Sequence, residues 1–353
     1  MAPPRLFVGW RGLGLFWAGL VVVLAAGAGT LQILGPPAPK PVKVAIAPPP
    51  VAPVIPKPVV QAPPKPKPPP SDQPGRDSPG PIADPDPGLL EPAPGVPSAG
   101  PVPIIAMDGR MPMQVYAAGF DRSSQRPRVG LIVAGIGLNE ADSTAAIRSL
   151  PGGISLAVSP YAGAPGKILS VARIAEHEYL LSVPMEPQGF PNNDPGPHAL
   201  MTNLSPEQNL ERLYWALSRV TGYAGVTSAL GSMRGERFEA VSDALDPALT
   251  EIGGRGLYWI DTKPGQGAMP KVWSRSIDLV IDEPASQADI DAKLDQLAGL
   301  ALDRGAALGL VTAPRPVTID RIAAWTNGLT ARGLALAPVS ALLRAPAKKE
   351  VAE

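Results

Sequence analysis

The stretch that decides the fold covers residues 129–158 and has the sequence VGLIVAGIGLNEADSTAAIRSLPGGISLAV. It opens with the apolar run Val129–Val133, which is typical of a strand buried on both faces. Asn139 then supplies a capping side chain for a helix that ends near Ser149. A second apolar run follows at Ile154–Val158. A buried strand, a helix and another buried strand indicate a βαβ unit, whose strands lie parallel.

The same alternation continues toward the C-terminus. Further strands are predicted at Tyr179–Val183, near Gly225, and at Gly256–Ile260, Leu279–Ile281, Ala307–Val311 and Leu334–Ala337. Further helices are predicted at Lys167–Glu176, Ser205–Val220, Gln287–Arg304 and Ile319–Arg332. Residues 128–343 therefore predict an α/β domain, a distorted (β/α) barrel of seven or eight units. In such barrels the chemistry lies in loops at the C-terminal ends of the strands.

An apolar segment precedes this domain. Residues 12–34 carry no charged side chain, and 23 residues of helix span roughly 34 Å, enough for a hydrocarbon core. Arg5 and Arg11 lie before the segment, so residues 1–11 are expected in the cytoplasm. The sequence predicts one transmembrane helix in the cell inner membrane, single-pass, with the C-terminal domain periplasmic. The alternative is a cleaved signal peptide, since residues 25–28 are small.

A proline-rich segment separates the two. Of the 47 prolines, 26 lie between Pro36 and Pro103. Proline fixes φ and removes backbone donors, so this composition favours extended polyproline II rather than a packed core. Residues 35–127 are predicted to be a disordered Pro-rich tether and lead-in, of which Pro36–Pro103 would reach up to roughly 200 Å. Residues 344–353 form a short tail.

Composition excludes several classes of function. Lys and Arg number 31 and Asp and Glu number 31, so the net charge is zero and nucleic acid is not an expected partner. No cysteine is present, which excludes disulfides, Cys-ligated zinc and thiol catalysis. No glycine-rich nucleotide motif opens any predicted helix, and the GxSxG motif of serine hydrolases is missing.

Polar side chains follow several predicted strands and are the candidate binding residues. Glu186 and Asp261 stand at strand ends, whereas Asp194 and His198 lie in a Pro/Asn/Gly loop over the expected pocket. Ser232 follows another strand. These five residues are predicted to bind substrate. By contrast, Trp215 and Trp325 fall on predicted helices, where packing is the simpler interpretation than stacking on a sugar ring.

Several short motifs carry a resemblance to a known family. They are His177-Glu178, Pro184-Met185-Glu186-Pro187, Gly231-Ser232, Arg255-Gly256-Leu257 and Pro338-Val339-Ser340. In their order and spacing, the region from Met107 to Ser340 resembles the divergent polysaccharide deacetylase family, a relative of the chitooligosaccharide-deacetylase-like barrels. The resemblance implies a distorted (β/α) barrel that uses a divalent metal and a carboxylate base to hydrolyse acetyl groups on glycans.

The chain departs from that family's pattern at the metal and base positions. Two aspartates are expected at Ala134 and Gly135, and a histidine at Ser182. The expected Asn-His-Met is Ser228-Ala229-Leu230, and the expected Gly-His-Pro is Thr312-Ala313-Pro314. Alanine, glycine and serine do not supply the usual ligands of zinc. The sequence therefore predicts no catalytic residue of the family's kind, no metal and no cofactor.

Three hypotheses follow for the function. The first is a noncatalytic deacetylase-like domain of carbohydrate or cell-envelope metabolism that binds a cell-wall or envelope glycan, or an envelope protein. The second is an active carbohydrate deacetylase or hydrolase with a rearranged site, which includes a replacement metal site made of Glu186, Asp194 and His198. The third is an envelope scaffold in which the barrel is only a docking body.

Overall fold

The computed structural model describes residues 17, 18, 20, 21, 73–96 and 99–346. The chain divides into two compact units, Met1–Lys65 and Pro66–Glu353. In the first unit, the four described residues are helical and exposed. Within the described ranges, no helix combines the length and apolar character needed to cross a membrane. Nearly all of the predicted transmembrane helix at 12–34, and the predicted tether up to residue 72, lie outside the described residues.

The second unit contains a short hairpin and a large parallel sheet. The hairpin pairs β1 (Leu90–Pro92) with β2 (Pro101–Pro103) in antiparallel fashion. The strands of the large sheet are β3 (Arg128–Ile136), β4 (Ser155–Val158), β5 (Tyr179–Ser182), β6 (Gly225–Thr227), β7 (Tyr258–Asp261), β8 (Ser274–Ser276), β9 (Leu279–Val280), β10 (Ala306–Val311) and β11 (Ala335–Leu336). Their order is β8-β7-β6-β5-β4-β3-β10-β9, and β11 pairs with the start of β3.

The two ends of this strand path are consecutive in the chain. Only Ile277 and Asp278 separate β8 from β9. The backbone N–H of Ile277 donates to the Asp261 carbonyl at 3.0 Å, and that of Asp278 to the Leu308 carbonyl at 2.7 Å. One irregular segment therefore connects the β7 side of the sheet to the β10 side. The predicted α/β class is confirmed. In place of the predicted distorted (β/α) barrel of seven or eight units, the architecture is a curled parallel half-barrel with eight strands along its path and β11 beside β3. The short strands β8 and β9 are too divided to form one full strand.

The second unit contains eight α-helices among its described residues, and the six that have ten residues or more cover the outer face of the sheet. The eight helices are α1 (Pro112–Val115), α2 (Glu140–Ser149), α3 (Pro165–Ile174), α4 (Pro206–Leu217), α5 (Glu236–Glu239), α6 (Ser242–Gly254), α7 (Gln287–Arg304) and α8 (Pro316–Thr326). Local sequence explains their ends. Ser205 and Gln208 form the predicted capping box before α4. Gly305, at a φ of +79°, ends α7 in the left-handed conformation that glycine adopts without strain.

Three helices, α1, α5 and α6, have no counterpart among those predicted from the sequence. Two of them, α5 and α6, fall between the strand near Gly225 and that at Gly256, an interval that the sequence interpretation leaves without a helix. Helix α6 fills this interval although Pro247 lies inside it. Proline ordinarily breaks a helix interior, so its presence obscures the helical pattern. Burial of Leu245, Leu249 and Ile252 against the sheet compensates for the missing backbone hydrogen bond.

Arg255 connects the segment that precedes β3, called here the lead-in, to the rest of the second unit. Its guanidinium is 8% exposed, and it donates to the Glu91 carboxylate at 2.9 Å and to the Pro103 carbonyl at 2.8 Å. The same group reaches Glu251 at 2.6 Å. Arg255 thus joins the β1–β2 hairpin to the end of α6. Residues 73–96 and 99–127, which belong to the predicted tether and lead-in, therefore contribute ordered structure.

His177 has a structural role. Its ring is fully buried, with Nδ1 2.7 Å from the Ile154 carbonyl and Nε2 3.1 Å from the Ile147 carbonyl. Burial lowers the pKa of this imidazole. The ring ties the loop before β4 to the end of α2, at the N-terminal end of the strands and away from the candidate site.

Candidate functional site

The C-terminal ends of β3, β5, β6, β7 and β10 converge on one end of the half-barrel, where a parallel fold of this kind carries its chemistry. The first of these ends holds Ala134, which is fully buried, and Gly135, at a φ of +76°. A Cβ at Gly135 would lie 3.4 Å from the Thr312 carbonyl oxygen and 3.6 Å from Pro314 Cδ. The loop after β10 therefore lies against the place where the resemblance requires a second aspartate.

Serines occupy the neighbouring positions. Ser182, at the end of β5, is fully buried, and among the described residues its Oγ has no hydrogen-bond partner. In the sheet register it lies beside Thr227 of β6, so the next residue, Ser228, is close to it. Ser228 is 1% exposed. The positions expected to supply histidine and asparagine thus carry small hydroxyl side chains that solvent does not reach.

Asp282 holds the loop after β10 in place. Its side chain has no exposed surface and accepts from the Thr312 N–H at 2.8 Å and from the Thr312 hydroxyl at 3.0 Å. Arg315 pairs with the same carboxylate at 2.8 Å. This carboxylate is satisfied by the residues around it. Asp282 directly follows a predicted strand, so attention to every strand end would have found it in the sequence.

Glu186 lies in the loop after β5 and is 3% exposed. Its carboxylate accepts from the Thr202 N–H at 2.7 Å and the Thr202 hydroxyl at 2.6 Å, and it pairs with Arg237 at 3.1 Å. Its carbonyl also accepts from the N–H groups of Arg237 and Phe238. The structure therefore places this predicted binding residue as a link between the β5 loop and α5.

The most unusual ionisable group at this end is Glu239, the last residue of α5. The Ser228 hydroxyl donates to Glu239 Oε1 at 2.5 Å, and Ser228 also contacts the Thr262 hydroxyl at 3.0 Å. Glu239 Oε2 is buried and has no hydrogen-bond partner within the described part of the chain. Burial, reinforced by the nearby charge of Asp261, raises the pKa of Glu239 to about 8. The carboxyl group is therefore mostly protonated at neutral pH.

Asp261, a predicted binding residue, belongs to the same group. It ends β7, is 2% exposed and accepts from the Lys263 N–H at 2.7 Å. Burial also raises the pKa of Asp261. No sequence pattern points to Glu239, because it lies on a short helix well past the end of β6. Its closeness to Ser228 and Asp261 arises only from the folded chain.

The other three predicted residues lie nearer the surface. Asp194 is exposed and accepts from the Gly196 N–H at 2.8 Å, and Ser232 is exposed in the turn that follows Leu230. His198 is half-buried, and its ring stacks on that of Trp215, with 3.8 Å between centroids and 11° between planes. The structure thus separates Asp194 and His198 from the buried group around Glu239.

These residues do not fit a catalytic divalent metal. Zinc and its relatives take several His, Asp, Glu or Cys ligands at one point. Across the ranges that the structure describes, no three such side chains converge to form a metal site. In particular, Glu186, Asp194 and His198 do not assemble the replacement site considered from the sequence. What the arrangement offers instead is a buried hydroxyl–carboxyl group and a separate aromatic surface.

Comparisons with known proteins bear on this site. A profile described as divergent polysaccharide deacetylase matches residues 131–343, a range that contains every loop of the candidate site. The crystal structure of an uncharacterized protein from Agrobacterium tumefaciens C58 is 32% identical to this chain. That match covers 69% of this chain and 99% of the other, with a TM-score of 0.63. Among curated proteins, none matches.

Proposed function

The chain belongs to the divergent polysaccharide deacetylase family, and we propose that it is a noncatalytic member that binds a glycan of the cell envelope. Membership suggests a carbohydrate-related function. The proposal that hydrolysis has been lost goes further and depends on the site itself. Because one fold can host many functions, the loss of hydrolysis has to be inferred from the residues at the strand ends.

One observation carries the proposal: the family's metal and base positions are replaced together and filled. Ala134, Ser182 and Ser228 are buried small residues, and the Thr312 carbonyl lies against Gly135. Metal-assisted hydrolysis needs a metal to lower the pKa of water and a base to accept its proton. These side chains provide neither the metal ligands nor the base. Restoring the ligands and the base would take several simultaneous substitutions.

The cellular setting is part of the same proposal. Residues 12–34 anchor the chain in the inner membrane as a single span, and the Pro-rich segment carries the domain into the periplasm. Cell-wall glycan is then within reach as a ligand. An envelope protein is the alternative partner in this setting. A tethered domain that does not hydrolyse glycans would bind a partner in the envelope without converting it to product.

Acetate release and glycan binding, measured together, test the proposal. The full-length chain in detergent is incubated with acetylated chitooligosaccharide and with peptidoglycan fragments, with and without added Zn²⁺. We expect acetate to appear no faster than in buffer, because no side chains hold a metal-activated water. We also expect saturable binding of at least one of these glycans by calorimetry, which heat-unfolded chain should lack.

Two results would count against the proposal. Acetate release that zinc stimulates and a chelator removes would restore the family's usual activity. Absence of binding to every glycan, together with an envelope protein recovered by crosslinking in cells, would instead favour the scaffold hypothesis.

The Ser228–Glu239 hydrogen bond of 2.5 Å suggests a second function, which requires a substrate to displace the residues that bury Ser228. In a serine-type deacetylase, the Glu239 carboxylate would take the Ser228 proton while Oγ forms a bond to the acetyl carbon. The proton would then pass to the departing amine, and water would release acetate from the serine ester. The pKa of Glu239 near 8 means that such a base is ionised chiefly in alkaline solution.

This second function predicts a metal-independent activity that rises with pH through about 8. Ser228→Ala and Glu239→Gln should each lower its rate about 10³-fold or more, because nucleophile and base act as a unit. Glu211→Gln, an exposed glutamate on α4, is the matched control and should leave the rate unchanged. Equal rates in all four proteins would eliminate this candidate.

A further inference from the structure

Aromatic and cationic side chains form a partly exposed group beside the candidate site, here named the aromatic–arginine cluster. It consists of Tyr161, His198, Arg212, Trp215 and Arg219. Tyr161 follows β4, His198 follows β5, and the other three lie on α4 or one turn beyond it. Two members of the cluster, Tyr161 and His198, therefore come from loops at the C-terminal ends of neighbouring strands, the end of the sheet where this kind of fold binds its ligands.

Trp215 is the centre around which the cluster is built. The His198 ring stacks on it at 3.8 Å, and the Tyr161 ring lies 5.4 Å away at 43°. The Arg219 guanidinium carbon is 5.3 Å from the indole centroid. Trp215 thus supports the other groups, whereas the rings of Tyr161 and His198 are only half-buried. Flat rings of this kind suit the apolar C–H face of a pyranose.

The loop around His198 is shaped to fit Tyr161. Gly196 has a φ of +97°, and a Cβ at that position would lie 2.5 Å from the Tyr161 hydroxyl oxygen. Only glycine permits both the backbone conformation and the close approach. Asp194 accepts from the Gly196 N–H in the same turn. Its exposed carboxylate remains able to accept hydrogen bonds from sugar hydroxyls.

The two arginines are oriented but lack a counter-charge. Arg212 donates through Nη1 to the Ala199 carbonyl, and Arg219 donates through Nε to the Pro160 carbonyl at 3.3 Å. Neither forms an ion pair with any carboxylate of the described residues, including Asp194. Each guanidinium keeps further N–H donors free, in a planar fork that matches a carboxylate. Burial lowers the pKa of His198, and the charges of both arginines lower it further, so both charges act on one ring.

We propose that the aromatic–arginine cluster binds an acidic saccharide: Arg212 and Arg219 take the sugar carboxylate, and the rings of His198 and Tyr161 pack on the pyranose face. This rests on the proposed glycan-binding function and assigns its ligand class and place. A carboxylate is available from uronic acids and from lactyl-substituted amino sugars. Because the shared chemistry is a carboxylate on a pyranose, the experiment has to separate these two sources.

The test measures binding of the full-length chain in detergent to four saccharides by calorimetry. They are an oligogalacturonate, its methyl ester, an N-acetylmuramic acid disaccharide and a neutral chitooligosaccharide. We expect Arg212→Gln and Arg219→Gln each to weaken binding of a carboxylated saccharide about tenfold or more, because a hydrogen bond to a charged group is lost. Binding of the methyl ester, already weaker, should not change further. The preferred acid, uronic or lactyl, identifies the source.

His198→Ala separates the packing contribution from the charge contribution. It should weaken binding of the acid and of the methyl ester by similar factors, since it removes a ring and no charge. Arg148→Gln, an exposed arginine at the end of α2, is the matched control and should have no effect. Thermal melting of each variant confirms that it is folded.

Every outcome decides the proposal. Carboxylate-selective binding that depends on both arginines supports it. Equal binding of neutral and acidic saccharides, unaffected by the arginine variants, overturns it and leaves glycan binding intact. No binding of any saccharide overturns both this proposal and the glycan-binding function. Displacement of the acid by inorganic phosphate at equal concentration would mean a general anion site, and it also overturns the saccharide assignment.

Discussion

Replacing Glu178 by alanine is expected to lower the free energy of unfolding by about 3–5 kcal/mol, the range for removing one partner of a buried, charged network. Glu178 has no exposed surface. Its carboxylate accepts from the N–H and the hydroxyl of Ser340, at 2.9 Å and 2.6 Å, and from the Ser155 hydroxyl at 2.9 Å. The Ala118 N–H and the Tyr258 hydroxyl donate to it as well, at 3.0 Å and 3.3 Å.

The size of the effect follows from what remains after the substitution. Alanine leaves a cavity surrounded by buried donors that water cannot easily reach, and each unsatisfied donor carries a desolvation cost. The donors come from the lead-in, from β4, from β7 and from the segment after β11, so the loss loosens several elements at once.

Denaturant unfolding followed by circular dichroism measures this prediction. Glu211→Ala, an exposed glutamate on α4, is the matched control and should change stability by less than about 0.5 kcal/mol. A Glu178→Ala variant that unfolds within about 1 kcal/mol of the unmodified chain would show that the network contributes little.

Stability should also depend on pH through Glu239. The pKa of this carboxyl group is raised from 4.5 to about 8, so between those values the folded chain holds a proton that the unfolded chain releases. Stability from this group is therefore fully present below pH 4.5 and falls as pH rises to 8. The expected loss is on the order of 2–4 kcal/mol, because each unit of pKa shift corresponds to about 1.4 kcal/mol and partial exposure reduces the total.

Glu239→Gln isolates this contribution. Glutamine keeps the shape and can accept from the Ser228 hydroxyl, but it does not ionise, so the variant should lose less stability between pH 5 and 9. The readout is the difference between the two stability curves, which cancels groups that titrate in both proteins. Glu211→Gln, an exposed glutamate on α4, should follow the unmodified chain. Parallel curves for the unmodified chain and Glu239→Gln would contradict the raised pKa.

The motifs that carried the family resemblance turn out to be residues that hold the fold together. Glu178 accepts hydrogen bonds from Ser340, so the motifs His177-Glu178 and Pro338-Val339-Ser340, which are far apart in sequence, contact each other in the folded chain. Arg255 binds the lead-in, and Glu186 binds Thr202 and Arg237. Residues of this kind identify the family without reporting on its chemistry, which depends on other positions.

The sequence by itself determined the α/β class, most of its strands and helices, and the loss of the family's metal ligands. These features are local: apolar runs, caps and the identity of single residues suffice for them. It also predicts the membrane anchor and the tether from composition alone. The helix around Pro247 was not predicted, because its stability comes from burial against the sheet rather than from its own sequence.

Only the tertiary structure decided which side chains meet. Glu239 joins Ser228 and Asp261 because α5 folds back over the ends of β6 and β7, and no spacing in the chain encodes that contact. Trp215, interpreted from its helix as a packing residue, supports His198 and Arg219 from two other parts of the chain. Burial and the distances between residues that are remote in sequence determine pKa values and which side chains stay accessible to a ligand. Those quantities exist only once the chain has folded, and for this protein they separate a buried carboxyl group from a partly exposed group of aromatic and arginine side chains.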